Sequence, residues 1–179
     1  TVIWLAYILS EGDHRKVSVE GYVEGMRNTL SRVSGQKIEP LDFSDDRLAR
    51  LLTYLSKRKY WHKIECELNE RSIEVYDLPT ETVRCDSTTV SGYHEVKEGG
   101  LVQFGHSKDD PSLPQIKMMI GSPDPLGMPL ATDVVPGQRA DDGLYIPLIK
   151  RIDEGLKKAE MLFVGDCKMS ALEIRTYVN

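Results

Sequence analysis

Excess positive charge, long apolar runs and paired cysteines are all missing from this chain of 179 residues. Acids number 28 and bases 23, a formal net charge of −5. That excludes a histone-like protein that holds nucleic acid by bulk charge, though not a local basic groove. The densest apolar stretch, Val2–Leu9, is too short to span a bilayer. No signal-peptide pattern of basic start, apolar stretch and small-residue cleavage site is present, so no membrane association is expected. The three cysteines, Cys66, Cys85 and Cys167, are odd in number and far apart. They form neither a disulfide framework nor a CxxC knuckle, and a reducing, cytoplasmic setting is expected. The four histidines, His14, His62, His94 and His106, lack metal-ligand spacing. There is no Walker A loop and no dinucleotide fingerprint, Gly99-Gly100 being too short a signal for either.

What is present is enough apolar material for a packed core, 40% of residues against 28% charged. Residues 1–70 read as an α-helical region. Val2–Leu9 has the density of a buried helix, closed by the polar stretch Ser10–Arg15. Val19, Tyr22, Val23, Met26, Leu30 and Val33 recur at three- and four-residue steps, with Gly35 as a stop. Ser44-Asp45-Asp46 ahead of Leu48, Leu51, Leu52 and Leu55 is a helix start, since acids are favoured at the positive N-terminus. A further helix is expected over Tyr60–Leu68.

From about residue 71 the character changes. Ser72–Tyr76 is β-rich, and the Val- and Thr-laden Thr82–Val90 reads as a strand. Leu101–Phe104, Gln115–Ile120 and Pro129–Val135 are further strand candidates, the last ended by Pro136-Gly137. Leu144, Leu148, Ile152 and Leu156 define a helix with Pro147 in its first turns. Met161–Val164 is an uninterrupted apolar run, as in a strand buried on both faces, and Ser170–Val178 is helical. Residues 71–179 thus read β-β-β-α-β-α, a mixed α/β fold. The helical crossover should be right-handed and bring the last strand beside one of the first.

Two acids stand out. Asp86 sits mid-strand in Val83-Arg84-Cys85-Asp86-Ser87-Thr88, where Asp is depleted and costly to bury unpaired. Alone it reads more simply as a solvent-facing acid paired with Arg84. Asp166 follows the apolar run through Gly165 and precedes a helix, so it is either an N-cap or a group in the crevice at the strand ends where α/β folds place ligands. If the crossover sets the two strands side by side, two carboxylates converge. Converging acids want a cation, and oxygen-only ligands suit Mg²⁺ or Mn²⁺. Nearby bases are few: Lys108, Arg139 and Lys168. His106 lies in the polar loop Gly105–Asp110. Each could meet a phosphate, and each is more commonly a solvated surface group. Asp109, Asp110, Asp141 and Asp142 read as turn and cap residues.

Arg84-Cys85-Asp86-Ser87-Thr88-Thr89 resembles the first-acid strand of the DDE insertion-sequence transposases. Phe104-Gly105-His106-Ser107-Lys108-Asp109 followed by Leu113-Pro114-Gln115 resembles the "GHSKD…LPQ" segment of the same group. Gly127-Met128-Pro129-Leu130 with Val135-Pro136-Gly137 is similar to their third strand and its turn. Val164-Gly165-Asp166-Cys167-Lys168-Met169 is similar to the second-acid motif, and Leu41–Leu48 to the helical region that precedes the core. Cys167-Lys168 departs from the Arg-Gly that many relatives carry after the second Asp.

The resemblance implies a ribonuclease-H-like core, truncated here and preceded by the α-helical region. It implies DNA cleavage and strand transfer by two metal ions held by three acids. Asp86 would bridge both ions and Asp166 would hold one. The partners would be transposon ends and target DNA, contacted by His106, Lys108, Arg139 and Lys168, with self-association in the active complex. The family's third acid is a Glu on a later helix, and Glu173 comes too early to be it. Starting at Thr1 in an apolar stretch and stopping at Asn179, the chain reads as a fragment, inactive alone. The alternative is a non-catalytic DNA- or partner-binding remnant of a transposase, carried by the helices of residues 1–70. That region is nearly neutral and shows no helix-turn-helix pattern. A third reading makes both acids structural.

Overall fold

A computed structural model describes residues 1–107, 110–156 and 160–178. The chain divides into two compact units, Thr1–Lys63 and Ile64–Asn179. No helix among the described residues is long and apolar enough to cross a membrane.

The first unit contains α1 (Val2–Glu11), α2 (Val19–Ser34) and α3 (Asp45–Leu55), and α4 (Arg58–Tyr76) begins in it. Its core is Trp4, Tyr7, Val19, Val23, Ile38 and Leu48. The expectation of a fully buried first helix is corrected: Val2, Leu5 and Leu9 are exposed, and only the Trp4–Tyr7 face is buried. Gly12 and Gly35 end α1 and α2 at φ of 62° and 66°, a left-handed conformation that a Cβ disfavours. Ser44 precedes α3 in extended conformation, with Asp45 and Asp46 in its first turn.

The second unit is built on a four-stranded sheet of β1 (Thr82–Ser91), β2 (Gln115–Pro123), β3 (Ala131–Pro136) and β4 (Leu162–Gly165), in the order β3-β2-β1-β4. β1 and β2 pair antiparallel, as do β2 and β3. After β3 the chain runs through α5 (Tyr145–Leu156), and β4 then pairs parallel to β1. A parallel neighbour needs such a crossover, because no tight turn can deliver it. The helix α6 (Leu172–Val178) follows. α5 carries Tyr145, Leu148, Ile149 and Ile152 into one core with Val83, Cys85, Met119, Leu130 and Ala131. Each such large side chain contributes about 1.5–3 kcal/mol by leaving water. Gly121 makes room for the helix, since a Cβ there would lie 2.4 Å from Ile152 Cδ1.

Three expectations in this unit are corrected. Ser72–Tyr76 is not β but the last turns of α4. Glu65, Asn69 and Ile73 lie four residues apart on one buried or half-buried face, and two of the three are polar, so hydrophobic periodicity misses the stripe. Leu101–Phe104 forms no strand, only an isolated bridge between Gln103 and Gln115. β4 is an edge strand rather than one buried on both faces, and Leu162 is 61% exposed.

Polar contacts lock α4 and α5 to β3. Arg151 Nη2 meets Glu65 Oε2 at 2.5 Å, with both side chains under a tenth exposed. Glu65 Oε1 accepts from the Thr132 amide at 2.8 Å and the Thr132 hydroxyl at 2.7 Å. Arg151 also donates to the Thr132 carbonyl, and Asn69 Nδ2 donates to the Leu130 carbonyl at 2.5 Å. Removing one member leaves the other charge buried. Glu65→Ala is therefore expected to lower stability by about 3–5 kcal/mol in urea unfolding of the full chain. The Glu65→Leu/Arg151→Met double variant should cost less.

No disulfide joins the cysteines among the described residues, and Cys85 is buried while Cys167 is exposed. Burial pushes the Cys85 thiol up to about 12, so it stays protonated at neutral and mildly alkaline pH. Iodoacetamide at mildly alkaline pH should modify Cys167 in the native chain and reach Cys85 only after denaturation, as read by peptide mass.

Candidate active site

β1 alternates, Val83 and Cys85 being buried while Arg84, Asp86 and Thr88 are exposed. The expected pairing of Asp86 with Arg84 is not observed. Arg84 instead makes a two-point contact with Asp124, at 2.9 and 3.1 Å. Asp86 Oδ1 accepts the Ser87 amide at 2.7 Å.

The parallel ladder between β1 and β4 ends at the pair Cys85–Gly165. Asp86 follows within β1 and Asp166 follows the end of β4, so the register puts the backbones of the two acids at one level. Asp86 lies in the exposed phase of β1, while the Asp166 carboxylate meets the buried Tyr145. Asp166 sits at the N-cap of the 3-10 turn Cys167–Ser170, and its Oδ1 accepts the Lys168 amide at 2.9 Å. The capping role read from the sequence is thus real, and it coexists with the position at the strand end. The same Oδ1 accepts the Tyr145 hydroxyl at 2.7 Å. Tyr145 is fully buried. Its phenol is pushed well above the usual tyrosine range, first by burial, then by the hydrogen bond and charge of Asp166, then by the charges of Asp86 and Asp141. That hydroxyl therefore feels both sequence-picked acids.

A cavity of about 520 Å³ opens beside them, lined among others by His106, Lys117, Arg139, Asp141, Asp166 and Lys168. Three of the four bases and histidines picked from the sequence (His106, Arg139 and Lys168) thus share one cavity with Asp166. Lys108 and Asp109 lie outside the described residues. Asp86 is not among the lining residues, although Ser87, Thr88 and Thr89 of the same strand are.

Sequence reasoning missed Lys117 and Tyr145 and read Asp141 only as a turn residue. Asp141 does precede the 3-10 turn Asp142–Leu144, but its side chain turns to Lys117. Lys117 is buried, and its ammonium donates to Asp141 Oδ1 at 2.5 Å and to the Arg139 carbonyl at 2.6 Å. A signal existed: Gln115, Lys117 and Met119 share the buried phase of β2, and a Lys in such a phase demands a partner. The ionised lining groups balance, with Lys117, Arg139 and Lys168 against Asp141, Asp142 and Asp166.

Glycines shape the cavity wall. A Cβ on Gly137 would lie 2.2 Å from the Gln115 carbonyl oxygen, and one on Gly105 would lie 2.3 Å from the Gly137 carbonyl oxygen. Gln115 Nε2 ties the same loops, donating to the Gly137 carbonyl at 3.0 Å and to the His106 carbonyl at 3.3 Å. His106 and Arg139 reach the cavity because these backbones touch.

The donor set fits a small oxygen-preferring cation in kind. Mg²⁺ is commonly held by one or two carboxylates together with waters and substrate phosphates. Asp86 and Asp166 are carboxylates of that type, with Asp86 outside the cavity lining to which Asp166 belongs. Among the described residues no group of three His, Cys, Asp or Glu side chains converges.

No family model matches the chain, and no curated protein sequence matches it. A solved structure, "Mos1 transposase paired-end complex with left transposon end", is similar over 98% of this chain at 12% identity and a TM-score of 0.37. The chain spans 54% of that protein's length. A likeness of that degree decides nothing about this chain.

Gly137→Ala should cost about 1–3 kcal/mol through overpacking. The check is urea unfolding, together with the histidine ring resonances, where His106 should shift.

Proposed function

We propose that the chain carries part of a DDE-type DNA transposase, with a ribonuclease-H-like sheet bearing the first two acids of the site. One observation carries this reading: the parallel register of β1 and β4, which ends one residue before Asp86 and Asp166. Asp86 and Asp166 would hold Mg²⁺ or Mn²⁺. Such ions, when bound, activate a water or 3′-hydroxyl nucleophile and stabilise the leaving oxygen in phosphoryl transfer.

The remaining groups act on the DNA backbone. Arg139 and Lys168 offer exposed cationic side chains at the cavity, His106 a ring donor, and Lys108 a further cation two residues on in sequence. Lys117 is committed to Asp141 and holds the loop that carries Arg139. With acids and bases balanced, the cavity has little attraction for a polyanion by itself. A divalent ion on Asp86 and Asp166 tips the balance towards phosphate, so DNA binding and metal binding should be coupled. Transposon ends and target DNA are the proposed partners, with self-association in the working complex.

Fluorescence anisotropy of a labelled DNA duplex tests this. Mn²⁺ should raise affinity about tenfold, the equivalent of about 1.4 kcal/mol. Asp86→Asn and Asp166→Asn should abolish the gain while the chain stays folded. DNA binding indifferent to metal and to Asp86→Asn would favour the non-catalytic binding remnant instead.

A further inference from the structure

We propose that Tyr145 is a positioning residue for the metal site, its hydroxyl aiming the Asp166 carboxylate; this rests on the metal-dependent reading above. Asp166 stands one residue beyond the last ladder pair of β4, in an exposed position at an edge strand. The ladder with β1 places its backbone but not its side chain. An exposed carboxylate there would ordinarily sample several rotamers, and ordering it costs entropy each time an ion is bound. Two donors act against that freedom. The Lys168 amide comes from the turn that follows Asp166 and moves with it. The Tyr145 hydroxyl comes from the first residue of α5, another element, and is the external reference.

Tyr145 is suited to that task. It is fully buried in the core with Leu148, Ile149 and Ile152, so its ring is fixed by packing. The 3-10 turn Asp142–Leu144 leads directly into it, and Pro147 lies in the first turn of α5. Two donors from different segments, the Tyr145 hydroxyl and the Lys168 amide, thus reach one oxygen, Oδ1, of that carboxylate. Partners of metal-ligating groups act in this way, and their loss typically costs about 10–100-fold in metal affinity.

A buried tyrosine hydroxyl also needs an acceptor for purely structural reasons. The two roles separate on metal affinity, because a structural role alters thermal stability without altering how tightly an ion is held. Mn²⁺ binding to the full chain is measured from the electron paramagnetic resonance signal of the free ion, for wild type, Tyr145→Phe and Asp166→Asn. The wild type should bind Mn²⁺ in a manner that Asp166→Asn abolishes. Tyr145→Phe should weaken binding about tenfold and remain folded by circular dichroism. Replacing Tyr145 by para-aminophenylalanine, which keeps a donor at the ring end, should restore most of the affinity and serves in place of the Phe variant if that variant unfolds.

Equal Mn²⁺ affinity of wild type and Tyr145→Phe, with Asp166→Asn still deficient, overturns the positioning role and leaves the metal reading standing. Equal binding by wild type and Asp166→Asn removes the metal reading, and the role of Tyr145 with it.

Discussion

The parallel pairing of β4 with β1 is the contact on which the candidate site depends. It is short, four residue pairs from Thr82–Leu162 to Cys85–Gly165, and it forms an edge of the sheet. Parallel ladders are slightly weaker per residue than antiparallel ones. Beside that ladder, Phe163 of β4 packs against the core that α5 fills. α5 packs Leu148, Ile149 and Ile152 on β1 and β2, and Gly121 lets Ile152 come close. Arg151, on the same helix, meets Glu65 and Thr132 and so ties α5 to both α4 and β3. The first residue of the same helix, Tyr145, also contacts the acid that follows β4.

The cavity shows a second constraint, the closeness of backbones. Gly105 and Gly137 lie where any side chain would collide with a carbonyl oxygen. The loops carrying His106 and Arg139 converge on Gln115, and the buried Lys117 fastens Asp141 and the Arg139 carbonyl. Buried polar groups of this kind cost free energy unless their partners are in place. Gln115 Nε2 and the Lys117 ammonium cross-link these segments, while Gln115 Oε1 itself is buried without a hydrogen-bond partner among the described residues.

Much of this was legible in the residues. The strand over Thr82–Ser91 shows β-branched enrichment, and the stripe of Leu144, Leu148, Ile152 and Leu156 leading into and along α5 is strictly periodic. Gly35 and Ser44 mark helix ends for local steric and capping reasons. Three things were not legible. The end of α4 buries Glu65 and Asn69, and a polar stripe gives no hydrophobic period. Met161–Val164 looks fully buried, yet whether an apolar run lies inside a sheet or at its edge depends on what pairs with its far side. Tyr145 reads as one more apolar position of α5, and nothing local says that its hydroxyl meets a residue 21 positions away.

The sequence by itself determined the strands near Thr82–Ser91, Gln115–Pro123 and Ala131–Pro136, the helical crossover back to the sheet, and the two acids worth watching. These follow from periodicity, turn chemistry and the rarity of Asp in strands, all of which act within a few residues. Only the tertiary structure decided the register that brings Asp86 and Asp166 to one level, the partner of Arg84, and the enclosure of His106, Arg139, Lys168 and Asp166 around one cavity. Register and enclosure arise from side chains and backbones far apart in the chain meeting under close packing, and no local rule encodes that.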